Sequence, residues 1–459
     1  MITLCCDSYK SGHVNLYPPD LEGLYAYFES RGGQYDHTLF FGLQYYLQKY
    51  LAGYVLEAYD IAYADQFWGE HFGRNDYFNA DEWYNLLADY DGMLPLKIKA
   101  LPEGSLVPVN TPLFTVESTD ENYPWLVTWV ETLLMKVWYP TTVATQSYYL
   151  KKYLRQLRTD SSDNLDGLDF MVHDFGYRGC TSEEQAAIGG AAHLLSFRGT
   201  DTVAGIQMLH SYYSAVNMVG FSVPATEHSV ILAWGKDYEV KAFDHLITKY
   251  PDGIVACVSD TYNIYEAVDR LWGDQLGDKV AKRNGTLVVR PDSGDPLTVV
   301  LATLNSLGRS FGFSMNNKGL RVLDSHVRVI QGDGMNPNTI TDLYADIVEA
   351  GWAPENLTVG AGGGMLQSVN RDTQRFAYKV SSINRGGKEI AVAKNPITDR
   401  GKASKAGRFS VVRGENGFET FYGETDQSRD LLQTVFVDGK IVQPVRYSDL
   451  IDRVEGSFD

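Results

Sequence analysis

Six clusters along this chain combine residue types that hold anions, move protons or stack on flat rings. They are His173-Asp174-Phe175-Gly176-Tyr177-Arg178, Glu227-His228-Ser229, Ser259-Asp260, Arg290-Pro291-Asp292-Ser293-Gly294, Gln331-Gly332-Asp333-Gly334 and Gly360-Ala361-Gly362-Gly363-Gly364. In the last, glycine lets the backbone approach a phosphate, and a helix start after it would offer free N–H groups. The plainer reading is a tight turn, and no Walker-type G-x-x-x-x-G-K-[ST] motif is present. Arg178, Arg290, Arg328, Arg371 and Lys379 lie beside such loops; singly each reads as a surface cation, but together they suit a ligand with more than one phosphate. Asp260, Asp292 and Asp333 are candidates for ribose hydroxyls, a histidine partner or a magnesium ion, with helix capping the expected job of one of them. A lone histidine is usually structural, but His228 has Glu227 beside it and Asp260 as a candidate partner to fix its tautomer. Phe175 lies in a polar loop where a flat base could stack.

These clusters need elements that bring them together. Each follows a short apolar run and precedes an amphipathic stretch. Thr181-Ser182-Glu183-Glu184 reads as a capping box for a helix through Leu195, and Pro296 to Phe311 and Pro337 to Ala350 each start with a proline suited to the first helical turn. Strands alternating with helices imply parallel strands and right-handed crossovers, and about six units favour an irregular (β/α) barrel over an open sheet. Ligands then sit at the carboxyl ends of the strands, where the clusters fall. Leu94 to Ser118 and Ile390 to Phe421 read instead as short β segments broken by proline and glycine. The expected organisation is an α/β chain: residues 1–150 with 385–459 as a mixed, β-containing domain, and residues 151–384 as the barrel-like catalytic domain.

Composition narrows the function. The 459 residues are 44% hydrophobic and 21% charged, as in ordinary globular proteins, and the net charge of -18 argues against nucleic-acid or anionic-membrane partners. Cys5, Cys6, Cys180 and Cys257 form no C-x-x-C pair, no H-E-x-x-H motif or hydrolase elbow occurs, and no metal-ligand set is legible. The adjacent acidic pair of the common Rossmann-like phosphoribosyltransferases is also missing, because the chain contains no Asp-Asp. There is no signal-like apolar start and no bilayer-length apolar run, so a cytoplasmic location is expected.

Taken together, the motifs resemble the nicotinamide phosphoribosyltransferase family. The resemblance rests on Asp7-Ser8-Tyr9-Lys10, Phe41-Gly42-Leu43-Gln44, His173 to Gly179, Gly199 to Gly205, Glu227-His228-Ser229, Arg290 to Gly294, Val329 to Gly334 and Gly362-Gly363-Gly364. It implies transfer of phosphoribose from phosphoribosyl pyrophosphate to nicotinamide with Mg²⁺, ATP as a coupled co-substrate, and a homodimer with shared active sites. On that pattern the pyridine ring stacks between Phe175 and Tyr9 of a second chain, while Arg178 and Asp201 hold its edge. Asp292 and Asp333 would take ribose hydroxyls. Arg290, Gly332, Gly362, Gly363 and, from the second chain, Arg371 and Lys379 would surround the ribose and its phosphate. Arg31, Lys394 and Lys402 match pyrophosphate or ATP contacts, and His228, supported by Glu227 and Asp260, matches a transiently phosphorylated histidine.

The chain departs from that pattern at Ala256, Ala361 and Ala377, where the family has serine, and in a short loop after Arg31. Lost hydroxyls near phosphate bear on substrate binding and ATP coupling. Asp201 speaks for nicotinamide over the alternative, a nicotinate phosphoribosyltransferase, because a carboxylate accepts from an amide and repels another carboxylate. Two further alternatives are a non-catalytic phosphosugar- or nucleotide-binding regulatory protein, which would not need His228, and an unrelated metabolic (β/α) barrel, which would not explain the matches in the N-terminal segment.

Overall fold

Short β-branched runs do form the expected parallel sheet. In this computed structural model, residues 1–398, 403–415 and 417–458 are described. The strands are β1 (Val172–Asp174), β2 (Gly199–Thr200), β3 (Val255–Val258), β4 (Leu287–Arg290), β5 (Val327–Gln331) and β6 (Leu357–Ala361). They pair in parallel in the order β2-β1-β6-β5-β4-β3, so chain neighbours pair except that β1 meets β6 and β2 and β3 stand at the two edges. Apolar side chains such as Val255, Val289, Val329 and Val359 are fully buried along them.

The two edge strands do not stay open. Phe221 donates to Arg198 and accepts from Thr200 beside β2, while Pro224 and Thr226 bond Ala256 of β3. The irregular stretch 221–226 thus bridges both edges and closes the curled sheet into a ring. Closure satisfies backbone groups that an edge would leave unpaired. β2 is an addition to the expected set, too short to carry a periodic signal, whereas the run expected before Glu227 is this closing stretch, irregular rather than a regular strand.

The helices start close to where the sequence places them. Pro296–Phe311 is capped by Asp295, and Pro337–Glu349 by Asn336, with proline in the first turn of each. The helix expected to open at Thr181 is capped one residue later, by Ser182, whose hydroxyl accepts from Gln185 N–H. Capping also corrects the reading of the aspartates. Asn263, Asp295 and Asn336 cap the helices that follow β3, β4 and β5. Each stands three residues beyond Asp260, Asp292 or Asp333, so none of those three is spent on a cap.

The chain divides into two compact units. One comprises Gln146–Met208 and Val216–Val369; the other comprises Met1–Thr145, Leu209–Ala215 and Asn370–Asp459. The sequence reading placed the second boundary after residue 384, whereas the division falls at 369/370. The reason is the strand Phe376–Arg385, which pairs antiparallel with Leu21–Ser30 along its whole length. Both join a seven-stranded sheet with Pro112–Ser118, Leu96–Ala100 and Gln433–Val437. Phe28 stacks on Phe114 and Phe376, with ring centroids 4.6 and 5.2 Å away, locking three strands together. Phe409–Gly414 and Gly417–Tyr422 form the hairpin expected from the glycines there. Among the described residues, no helix is long and apolar enough to cross a membrane.

Asn336→Ala removes a side chain that accepts from the N–H groups of Asn338 and Thr339. It is expected to cost about 1 kcal/mol, read as a lower urea midpoint. Asp333→Ala, with no cap to lose, is expected to leave that midpoint unchanged.

Candidate active site

Parallel strands deliver the clusters of the first unit to one rim. Phe175, Asp201, Asp260, Asp292, Gly332 and Gly362 all lie just past strand ends. The Phe175 ring lies across the rim on glycine: a Cβ at Gly360 would fall 2.0 Å from the ring's Cε2, and one at Gly332 would fall 3.4 Å away. Gly364 is likewise a packing glycine, since its Cβ would meet the Met335 carbonyl oxygen at 2.2 Å. Of the glycine run, only Gly362 and Gly363 are left with backbone to offer an anion. They open the short helical turn Gly363–Leu366, whose first N–H groups have no intrahelical acceptor. Ala361 and Ala256, the serine departures here, are buried.

Asp201 sits beside this ring. Its Oδ1 lies 3.0 Å from His173 Nε2 and accepts the Ser222 hydroxyl at 2.5 Å. Burial opposes ionisation of Asp201, but the His173 and Ser222 hydrogen bonds and the Arg290 charge outweigh it and hold the carboxyl below its usual range. The His173 ring is also 4.9 Å, centroid to centroid, from Phe175. The sequence shows His173 only as a member of the first cluster and does not single out Ser222; the contacts that matter join residues 21 and 28 positions apart in the chain. Arg178 is exposed in the turn Tyr177–Gly179.

Across the rim, His228 meets two carboxylates. Nε2 is 3.7 Å from Asp260 Oδ1 and 3.5 Å from Asp292 Oδ2, while Nδ1 is 3.0 Å from the Thr261 hydroxyl. Thr261 is a further partner the sequence did not reveal. Glu227 is exposed and accepts the Ser229 hydroxyl, so the expected support of His228 comes instead from Thr261 and the two aspartates. Asp260 is nearly buried; its Oδ2 accepts from Ser293 at 2.5 Å, and its Oδ1 has no hydrogen-bond partner. Arg290 reaches Asp292 at 3.4 Å with its Nε left unpartnered. Burial first, then Asp260 and Asp333, raise the pKa of Asp292 against Arg290 and His228. Asp333 itself is exposed. Arg328, by contrast, turns away: its guanidinium donates to the carbonyls of Leu323, Asp324 and Val327, at the opposite end of β5. It serves the loop before the strand.

The second unit holds its own cationic cleft of about 410 Å³, lined by Arg31, Arg371, Arg375, Lys379 and Lys394 with Glu131. The strand pair Leu21–Ser30 and Phe376–Arg385 builds it, and just past its end the Arg31 N–H donates to the Arg375 carbonyl. Arg31 Nε and Nη2 are buried without a hydrogen bond, although Nε lies 3.6 Å from Glu29 Oε1. Burial, and then crowding by Arg31, Lys394 and Arg371, lowers the pKa of Lys379 against the pull of Glu131. Such a cluster, with guanidinium N–H groups left unbonded, suits a polyanion. Ala377 lines the same cleft. Lys402 falls outside the described residues. Tyr9 is 56% exposed, its ring 5.4 Å from His13, and its carbonyl accepts from Tyr77.

The two key carboxylates titrate in opposite senses. Asp201 is held below its ordinary value, so it adds stability at neutral pH that is lost as pH falls through the folded value. Asp292 is held above its ordinary value, so its ionisation costs stability as pH rises through the raised range. In urea titrations at pH 7, Asp201→Asn is expected to lower the midpoint and Asp292→Asn to raise it, both differences shrinking toward acid.

Comparison with known proteins sets this arrangement in context. Residues 170–440 match the profile of the "Nicotinate phosphoribosyltransferase (NAPRTase) family", and residues 1–98 that of "Nicotinamide phosphoribosyltransferase, N-terminal domain". The chain is 42% identical to a nicotinamide phosphoribosyltransferase of Xanthomonas campestris pv. campestris, covering 96% of this chain and 95% of that protein. It is 32% identical to one from Acinetobacter baylyi, covering 95% and 93%. The fold matches a nicotinate-nucleotide pyrophosphorylase structure from Pyrococcus furiosus (TM-score 0.62, 16% identity, 99% and 95% coverage). It also matches human nicotinic acid phosphoribosyltransferase (TM-score 0.58, 16% identity, 98% and 93% coverage).

Proposed function

The chain belongs to the nicotinamide phosphoribosyltransferases, within the nicotinate phosphoribosyltransferase family, and we propose that it joins nicotinamide to the ribose of phosphoribosyl pyrophosphate in NAD salvage. The products are nicotinamide mononucleotide and pyrophosphate, and the proposed location is the cytoplasm. The observation that carries the choice of base is Asp201, an ionised carboxylate beside the Phe175 ring, with one oxygen already occupied by His173 and Ser222. Its other oxygen suits the N–H of a carboxamide and repels the carboxylate of nicotinate.

On this reading the pyridine ring lies on Phe175, with Arg178 at its edge. Asp292 and Asp333 take the ribose hydroxyls, and Arg290, Gly332, Gly362 and Gly363 surround the 5′-phosphate. The ring nitrogen forms its bond to the anomeric carbon as the bond to pyrophosphate breaks, leaving a pyridinium, so the nitrogen has no proton to lose. The sugar passes through an oxocarbenium-like state, which the nearby carboxylates of Asp260 and Asp292 favour. Holding both reactants in line is the main service of such a rim.

Mg²⁺ is the proposed cofactor: the unpartnered buried oxygen of Asp260 beside Asp292 offers the hard oxygen ligands it takes, and when bound it would neutralise phosphate charge. ATP is the proposed co-substrate, its γ-phosphoryl moving to His228 Nε2 as ADP departs; Thr261 holds Nδ1, so Nε2 is the nitrogen turned to the site, facing Asp260 and Asp292. Tyr9, Arg371 and Lys379 of a second copy would complete each site in a homodimer, with Arg31 and Lys394 meeting pyrophosphate or ATP. The exposed Tyr9 ring and the cluster of cations in the cleft, with Arg31 Nε and Nη2 making no hydrogen bond, support that role.

Mass spectrometry after mixing enzyme, nicotinamide, phosphoribosyl pyrophosphate and Mg²⁺ should find nicotinamide mononucleotide, with more formed when ATP is present. No product would reject the function. Asp201→Ser should narrow the nicotinamide-over-nicotinate ratio of kcat/KM, and an unchanged ratio would remove Asp201 from the role.

Shared sites predict complementation. Tyr9→Ala and Arg290→Ala chains, each nearly inactive alone, should regain about a quarter of the native activity when mixed, since a random C₂ dimer population carries that share of native sites.

A further inference from the structure

His173 has no role in the chemistry above, yet it touches two groups on which that chemistry relies. It sits in β1 opposite Gly199 of β2, and a Cβ at Gly199 would fall 2.8 Å from its Nδ1, so glycine clears room for the imidazole. From there the ring reaches Asp201 through Nε2 at 3.0 Å and Phe175 at 4.9 Å between centroids. Ser222, from the closing stretch, donates to the same Asp201 oxygen at 2.5 Å. Both donors therefore act on Oδ1, and Oδ2 has no protein partner among the described residues.

We propose that His173 is a positioning residue that sets the choice between a carboxamide and a carboxylate on the pyridine ring, by donating its Nε2–H to Asp201 Oδ1 and so presenting Oδ2 purely as an acceptor. The inference rests on the reading of Asp201 as the residue that meets the amide. Its logic is one of hydrogen-bond inventory. An ionised carboxylate only accepts, so a neutral His173 must be the tautomer protonated at Nε2. With Oδ1 pinned from two sides, the carboxylate cannot rotate freely, and its remaining oxygen demands a donor from the ligand. Nicotinamide supplies an N–H there; ionised nicotinate supplies none.

Without His173 the balance at Asp201 changes. Burial already opposes its charge, and the ionised form is sustained by the hydrogen bonds from His173 and Ser222 and by the Arg290 charge. Deleting the imidazole moves Asp201 toward its protonated form, whose O–H can donate to a carboxylate ligand. Discrimination then falls from both sides, with nicotinamide bound less well and nicotinate tolerated.

The test compares kcat/KM for the two bases in native enzyme, His173→Leu, His173→Gln and Asp201→Ser. His173→Leu is expected to narrow the nicotinamide preference about tenfold, the scale of one hydrogen bond to a charged group, with the change in KM rather than kcat. His173→Gln, which keeps an N–H donor at similar reach, should restore most of the preference. If leucine prevents folding, as judged by circular dichroism, His173→Phe deletes the donor while keeping a ring beside Phe175. A native-like ratio in the donor-deleted variant, or equal loss in the glutamine variant, would overturn the inference. If Asp201→Ser alone narrows the ratio, His173 is excluded and the base-binding reading stands; if neither does, that reading itself has failed.

Discussion

Parallel strands bonded edge to edge into a ring impose a direction on everything that follows them. With all strands running the same way, each connecting loop must leave from the same rim, and polar residues placed just after a strand meet there whatever their separation in sequence. The strands are short, two to five residues each, so the ring owes its integrity to unbroken hydrogen bonding around it. The irregular stretch 221–226 closes the last gap. It also contributes Ser222 to Asp201 and leads directly into His228, so backbone closure and site assembly are one event.

The rim accepts an electrostatic penalty. Asp260, Asp292 and Asp333 crowd one sector, with Arg290 and His228 as the compensation, and burial together with that crowding makes Asp292 harder to ionise than an ordinary carboxylate. An unpartnered buried oxygen on Asp260 and an unpartnered Nε on Arg290 belong to the same frustrated group. Such strain persists where ligand binding relieves it. The cationic cleft of the second unit has the opposite sign and the same character, with buried Arg31 nitrogens that make no hydrogen bond. Complementary unmet demands of this kind suit a substrate that carries several phosphates on a sugar.

Much of this was legible locally. Proline in the first helical turn located two helices, and glycine- and aspartate-containing punctuation located the strand ends. Local signals failed where a residue's neighbour is distant in the chain. Asp260, Asp292 and Asp333 look like caps, but the capping bonds come from Asn263, Asp295 and Asn336. Four glycines look like one phosphate loop, but Gly360 exists for the Phe175 ring and Gly364 for the Met335 backbone. Arg328 reads as a rim cation, yet it occupies the second position of β5 and its long side chain bonds back to the preceding loop. His173, Ser222 and Thr261 carry no pattern at all, because hydrogen bonds between strands leave no periodic trace.

What the amino-acid order determined by itself was the kind of fold and the inventory of chemistry: alternating β and α segments, cations and carboxylates after strands, an aromatic ring among them, and a family likeness spread across the chain. Tertiary structure alone decided which carboxylate is ionised and which resists, which glycines serve packing, which nitrogen of His228 meets Thr261 and which the aspartates, and that the strand Phe376–Arg385 belongs with the N-terminal sheet. Sequence encodes local propensity and the supply of functional groups, whereas protonation, orientation and partnership depend on desolvation and distance, and those come into being only when remote segments close around one another.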